Sequence, residues 1–170
     1  EGAHRAARWS RHKRAERLTE ASGLAADIEE ALATTEAFTL QSPPLAWAML
    51  TGRKLVENRT WRIPPGWYAL HVGSARNSQW TDRALAVDPT LPREEELKDH
   101  FGAVAGLLQL GEQRSVPECG GNPWAFGPIC HVINKAIYLH RPVRCSGGPG
   151  VWSLPEDVRQ RAVLQLRSER

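Results

Sequence analysis

Hydrophobic residues recur along this chain with two periods, and the switches between them mark out its elements. Leu24, Ile28 and Leu32 fall at i, i+4 and i+8, one face of a helix that Ser22 is placed to cap. Ala37–Gln41 changes to alternation, with Phe38 and Leu40 on one side of a short strand. A compact helix follows, with Ser42 at its N-cap, prolines in its first turn and Trp47 and Leu50 at i, i+3. Gly52 stands where a left-handed residue closes such a helix. Arg53–Arg62 then runs extended into a Pro64-Pro65-Gly66 turn. Trp67–Gly73 alternates most cleanly, with Tyr68, Leu70 and Val72 on one face and Trp67, Ala69 and His71 on the other. Pro92–Phe101 reads as a short acidic helix, and Ala103–Leu110 as a buried strand whose Gly106 allows a bend or a close backbone approach. Beyond a loop at 117–128 rich in Gly and Pro, Ile129–Ile133 and Ala136–His140 read as strands. A tight turn at Gly147-Gly148-Pro149-Gly150 leads into Val151 and Trp152. Ser153 with Glu156 has capping-box spacing for a last helix that presents Val158, Ala162 and Leu166 on one face.

Strands dominate the middle, without a regular βαβ rhythm and without a glycine-rich strand-to-helix phosphate loop. The pattern predicts an α+β fold, a small, mostly antiparallel β-barrel with peripheral helices. Residues 1–22 carry little to bury besides Trp9 and Leu18. They read as a basic tail, either solvated or nascently helical, or as an arm that follows a phosphate backbone. Residues 23–170 read as one domain with an added N-terminal helix and a core between 37 and 166. A domain of this size buries roughly 70% of its unfolded surface, so its core needs no disulfide staples.

Charge and composition sharpen this picture. Within residues 1–17 six bases face two acids, while the whole chain carries a formal net charge of +3. The folded part is therefore near neutral and the basic character sits in the tail. No apolar run approaches the ~20 residues of a helical membrane span, and no apolar stretch follows the basic start as in a secretory signal. These features predict an intracellular protein, cytoplasmic or nuclear. Cys119, Cys130 and Cys145 are odd in number and widely spaced, which reads as reduced thiols, with no CxxC pair for zinc. His131 and His140 also lack ligand spacing, so neither metal nor cofactor is predicted. The chain holds 7 Trp. Some must fill the core, while an exposed indole stacks on a base at ~1–3 kcal/mol.

Candidate chemistry concentrates between Gly52 and Trp61, where Lys54, Glu57, Asn58 and Arg59 crowd together. In a regular strand Lys54, Val56 and Asn58 would share one face, and Glu57, Arg59 and Trp61 the other; a bulge after Gly52 would change that register. One reading is a pocket floor that meets the donor and acceptor edge of a base and holds a phosphate or hydroxyl. The other is an edge strand whose Glu–Arg pair is worth ~0–1 kcal/mol at a surface. His71 is either a hydrogen-bonded barrel histidine or a polar group facing a cleft, with Ser74 and Arg76 beyond it. Trp47 and Trp61 are either core and cleft wall or stacking platforms. No nucleophile elbow is present.

The stretch Leu40-Gln41-Ser42-Pro43-Pro44-Leu45-Ala46-Trp47-Ala48-Met49-Leu50 resembles the opening of ASCH domains, a PUA-like family, where a strand runs into a Pro-aromatic-Ala helix. Gly52–Arg59 matches that family's G-x-K-x-x-E-x-R signature. Leu70–Ser74, Gly127–Val132 and Gly147–Trp152 resemble its later elements in the right order, from about Phe38 to about Gln165. The resemblance implies a PUA-like β-barrel with a cleft beside its first helix, and a role in RNA binding, RNA metabolism or coactivator-type assembly. Trp47, Lys54, Glu57, Asn58, Arg59, Trp61, His71, Ser74 and Arg76 would bind RNA or a nucleoside-type ligand. Some small bacterial members resemble amidohydrolases that deacetylate N4-acetylcytidine. Lys54 matches their catalytic lysine, and Glu57 stands where they carry Thr; the second acid of that group has no fixed match, though Glu94, Glu95 and Glu96 lie in a predicted helix. The resemblance thus implies a nucleic-acid or nucleoside binder, with two alternatives. One is a hydrolase of N4-acetylcytidine or RNA using Lys54 and Glu57, and the other is a protein-interaction domain.

Overall fold

Alternation along the central strands does not separate apolar from polar residues, because both faces of the sheet are covered. The computed structural model describes residues 23–168; the predicted basic tail lies outside the described residues. The described chain opens on helix α1, which runs to residue 32. It continues through β1 (Glu36–Leu40), α2 (Pro43–Leu50), β2 (Val56–Arg59), β3 (Gly66–Val72) and α3 (Ser78–Val87). A 3-10 segment (Glu94–His100), β4 (Ala103–Arg114), a 3-10 turn (Pro117–Cys119), β5 (Ile129–Arg144), β6 (Val151–Ser153) and α4 (Glu156–Ser168) complete it. The strands form one sheet in the order β2-β5-β4-β3-β1-β6, curled into half a barrel. Only β1 and β3 run parallel; the other neighbours are antiparallel. The α+β class and mostly antiparallel sheet are those the sequence predicts.

One face packs Phe38, Leu40, Tyr68, Leu70 and Leu108 against Leu45, Met49 and Leu50 of α2. The opposite face packs Ala37, Ala69, Val104, Leu107 and Leu139 against α1 and α4. The predicted stripe Val158, Ala162 and Leu166 is buried there. On α1 the core face is Ile28 and Ala31, while Leu24 is exposed. Gly106 sits where α2 crosses β4. A Cβ there would lie 2.5 Å from the Ile137 carbonyl and closer still to the end of Leu50, so a side chain would wedge the helix off the sheet.

Three elements depart from expectation. The two strands expected at 129–140 are one strand, because register shifts against β4 absorb the polar stretch between them. The acidic helix at 92–101 is a 3-10 segment broken at Leu97. Helix α3, which the apolar pattern did not announce, buries only Thr81 and Ala84, too few positions to leave a periodic signal. No helix among the described residues is long and apolar enough to cross a membrane.

Candidate functional site

Helix α2 delivers the chain to the site. Ser42 caps its start, accepting from Leu45 N at 3.5 Å, and Gly52 with φ 79° turns the chain at its end. The backbone N–H groups of Arg53 and Lys54 both donate to Ala48 O at 2.9 Å, folding residues 53–54 back beneath the helix. Strand β2 begins only at Val56, so Lys54 precedes the pleat and the alternation of faces does not govern it. Lys54 therefore meets Glu57 and Arg59 instead of pointing away from them.

Lys54 Nζ donates to Val56 O at 2.5 Å and lies 3.7 Å from Glu57 Oε1. Glu57 Oε2 lies 3.8 Å from Arg59 Nη2, which donates to Thr39 O at 2.8 Å. Lys54 and Glu57 are 2% and 4% exposed, so each charge needs an opposite charge beside it: Glu57 for Lys54, and Lys54 together with Arg59 for Glu57. Burial pulls the Lys54 amine below its ordinary range; the Glu57 carboxylate opposes that shift and the Arg59 cation adds to it. Glu57 Oε2 and Arg59 Nε are buried without a hydrogen-bond partner among the described residues. The trio is thus incompletely satisfied, a condition that a ligand's polar edge would relieve.

Strand β2 is held in place by His131, fully buried on β5 opposite Glu57. Its Nε2 accepts from Ile63 N at 2.9 Å, so Nδ1 carries the proton and donates to Glu57 O at 3.2 Å. Asn58 turns to the loop before β5. Its Oδ1 accepts from Phe126 N and Gly127 N at 2.8 Å each, and its Nδ2 donates to Trp124 O at 2.9 Å.

Two lobes meet at this floor. The narrow lobe, about 200 Å³, lies over Lys54, Glu57 and Asn58 between Leu40, Leu45, Trp80 and Phe126. Trp80 and Phe126 are 39% and 41% exposed, and the Arg83 guanidinium sits 5.4 Å from one ring and 4.8 Å from the other. The broad lobe, about 1090 Å³, is walled by His71, Ser74, Arg144 and the glycine-rich stretch 146–150. Thr39, Gln41 and Arg59 line both.

His71 backs the broad lobe in a defined tautomer. Its Nε2–H donates to Cys145 O at 2.7 Å, and its Nδ1 accepts from the Thr39 hydroxyl at 3.2 Å. That hydroxyl accepts in turn from Trp152 Nε1 at 3.1 Å. Burial lowers the His71 pKa, opposed by the Cys145 carbonyl, so the network favours the neutral ring.

The structure thus brings Lys54, Glu57, Asn58 and Arg59 to the narrow lobe and His71 and Ser74 to the broad one. Trp47, Trp61 and Arg76 line neither lobe. Trp47 lies under Arg53 at 4.8 Å, Trp61 supports Arg59 at 5.8 Å and Arg76 covers Phe101 at 5.6 Å. Sequence reading passed over Thr39, Gln41, Arg144, and the aromatic pair Trp80 and Phe126. No group of three metal-ligating side chains occurs among the described residues.

No protein-family model matches the chain, and no curated protein sequence matches it. Among solved structures, a mutant of the ASCH protein of Zymomonas mobilis (ZmASCH) is 14% identical, with a TM-score of 0.46 over 76% of this chain and 94% of that one.

Proposed function

We propose that this chain is an ASCH-type, PUA-like domain that binds a nucleobase, free or within single-stranded RNA, and serves RNA metabolism or a coactivator-type assembly. One observation carries the reading: the buried Lys54–Glu57–Arg59 group underlies a narrow lobe rimmed by two exposed aromatic rings. A base needs both features, flat faces to stack on and an edge of donors and acceptors to match. Glu57 supplies acceptors, Lys54 and Arg59 supply donors, and Trp80 and Phe126 supply the faces.

Calorimetric titration with the four ribonucleosides and a single-stranded RNA decamer tests this reading. At least one probe binds, and Trp80→Ala weakens it about 5- to 150-fold, the effect of one lost stack. Lys54→Ala weakens it as well, while the circular dichroism of the first variant stays that of the parent. No binding by any probe, or affinities unchanged in both variants, overturns the proposal.

A second reading rests on the depressed Lys54 amine beside Glu57. An amine of lowered pKa takes a proton from water near neutrality, or as a cation stabilises an oxyanion. In that hydrolase Lys54 and Glu57 are the catalytic residues. Incubation with N4-acetylcytidine and with a short RNA discriminates: turnover abolished by Lys54→Ala supports hydrolysis, and none of either substrate leaves the binder.

A further inference from the structure

The two lobes differ in chemistry as sharply as in size. The narrow lobe has apolar and aromatic walls, and the Glu57 carboxylate at its floor stands among the cations Lys54, Arg59 and Arg83. The broad lobe, about five times larger, contains two arginines, Arg59 and Arg144, and no Asp or Glu among its lining residues. Its apolar side chains are small, Ala75 and Pro149 among them, and much of the remaining wall is glycine. Apart from the His71 ring, against which the glycine loop rests, such a surface offers backbone groups and cations but no large apolar side chain, which suits a hydrated, anionic chain rather than a base.

The glycine wall is fixed in place. A Cβ on Gly147 would lie 2.6 Å from the His71 ring and 2.8 Å from Thr39 Oγ1, so the loop backbone rests directly on these side chains. His71 is in turn tied to Cys145 O, so the wall keeps its shape without a ligand. At the junction, Arg59 spans both lobes. Among the described residues only its Nη2 finds a hydrogen-bond acceptor, Thr39 O, and its buried Nε finds none.

We infer that the ligand of the proposed cleft is an oligonucleotide rather than a free nucleoside: one base turns into the narrow lobe while the sugar–phosphate backbone passes Arg59 and crosses the broad lobe beside Arg144. This rests on the reading of the narrow lobe as a base site and adds a phosphate subsite to it. A lone nucleoside would leave the larger part of the groove, which holds Arg144 and no carboxylate, empty. A strand fills it, and neutralises both arginines.

The test is calorimetric titration of the full chain with each ribonucleoside and with the matching homotetranucleotide, at two salt concentrations. The tetranucleotide of the preferred base binds at least 10-fold tighter than its nucleoside. That excess shrinks with salt, by a log–log slope of about −0.7 for each phosphate contacted. Ser146→Glu places a carboxylate in the exposed glycine-rich stretch. It removes most of the excess and leaves nucleoside affinity as it was. Arg144→Gln lowers tetranucleotide affinity and reduces the salt slope by about one contact, while Arg144→Lys retains most of both. A tetranucleotide no tighter than its nucleoside overturns the phosphate subsite and leaves the base site standing. A salt-sensitive excess that survives Ser146→Glu belongs to the basic residues 1–17 and likewise overturns it. Binding of neither probe overturns the base site and this inference together.

Discussion

Lys54 and Glu57 stabilise each other's burial, and each stands in a different relation to Arg59. Removing the carboxylate by Glu57→Gln leaves two cations facing each other. Removing the amine by Lys54→Met leaves Glu57 still 3.8 Å from Arg59. Glu57→Gln is therefore expected to cost about 3 kcal/mol in urea unfolding, the low end for breaking a buried pair because the ions stand 3.7 Å apart. Lys54→Met is expected to cost less, and the reverse order would contradict this account of the trio. At the same scale, Asn58 acts through the loop it holds. Asn58→Ala forfeits three hydrogen bonds to residues 124–127 and loosens the loop that carries Phe126. Its ligand affinity is expected to fall at least as far as that of Phe126→Ala in the same titration.

At the scale of elements, the contact between α2 and β4 decides whether the floor of the cleft keeps its shape. Gly106 permits that contact, and Leu50, at the helix end that leads to Lys54, lies over it. Gly106→Ala is expected to lower stability by about 1–3 kcal/mol through overpacking, read from the shift in urea midpoint. An unchanged midpoint would mean that the helix does not rest on the sheet there. The elements legible in the sequence are those with a strong local cause: the Ser42 cap, the prolines and Gly52 around α2, the alternation of β3 and the apolar stripe of α4. Helix α3 was not legible. It buries only Thr81 and Ala84, and it is held from outside by a chain in which Ser42 Oγ lies 2.9 Å from Thr81 Oγ1, which donates to Glu94 at 2.5 Å.

At the scale of the molecule, two buried imidazoles tie the sheet to the site, and burial depresses both His71 and His131. A histidine whose folded pKa lies below the unfolded value of about 6.5 binds its proton more readily in the unfolded chain. Unfolding is therefore favoured as pH falls through that value, and full stability is present above it. Melting temperature is expected to hold steady above about pH 7 and to drop progressively below 6.5. His71→Gln should flatten part of that drop, and a melting temperature that rises on acidification would refute the assignment.

The sequence alone determined what depends on neighbours along the chain. It specified the helix that begins at Ser42 and ends at Gly52, the strand periods, and the run Gly52–Arg59 that concentrates charge beside them. Caps, turns and alternation act over a few residues and so can be read there. What the tertiary structure decided is which of those charges meet. Lys54 joins Glu57 because the strand begins at Val56, three residues later than the extended pattern implied. Arg144 and the glycine-rich turn face the same groove as Arg59, and α3 places Trp80 opposite Phe126. Each of these meetings depends on packing between segments far apart in the chain, where no local period records it.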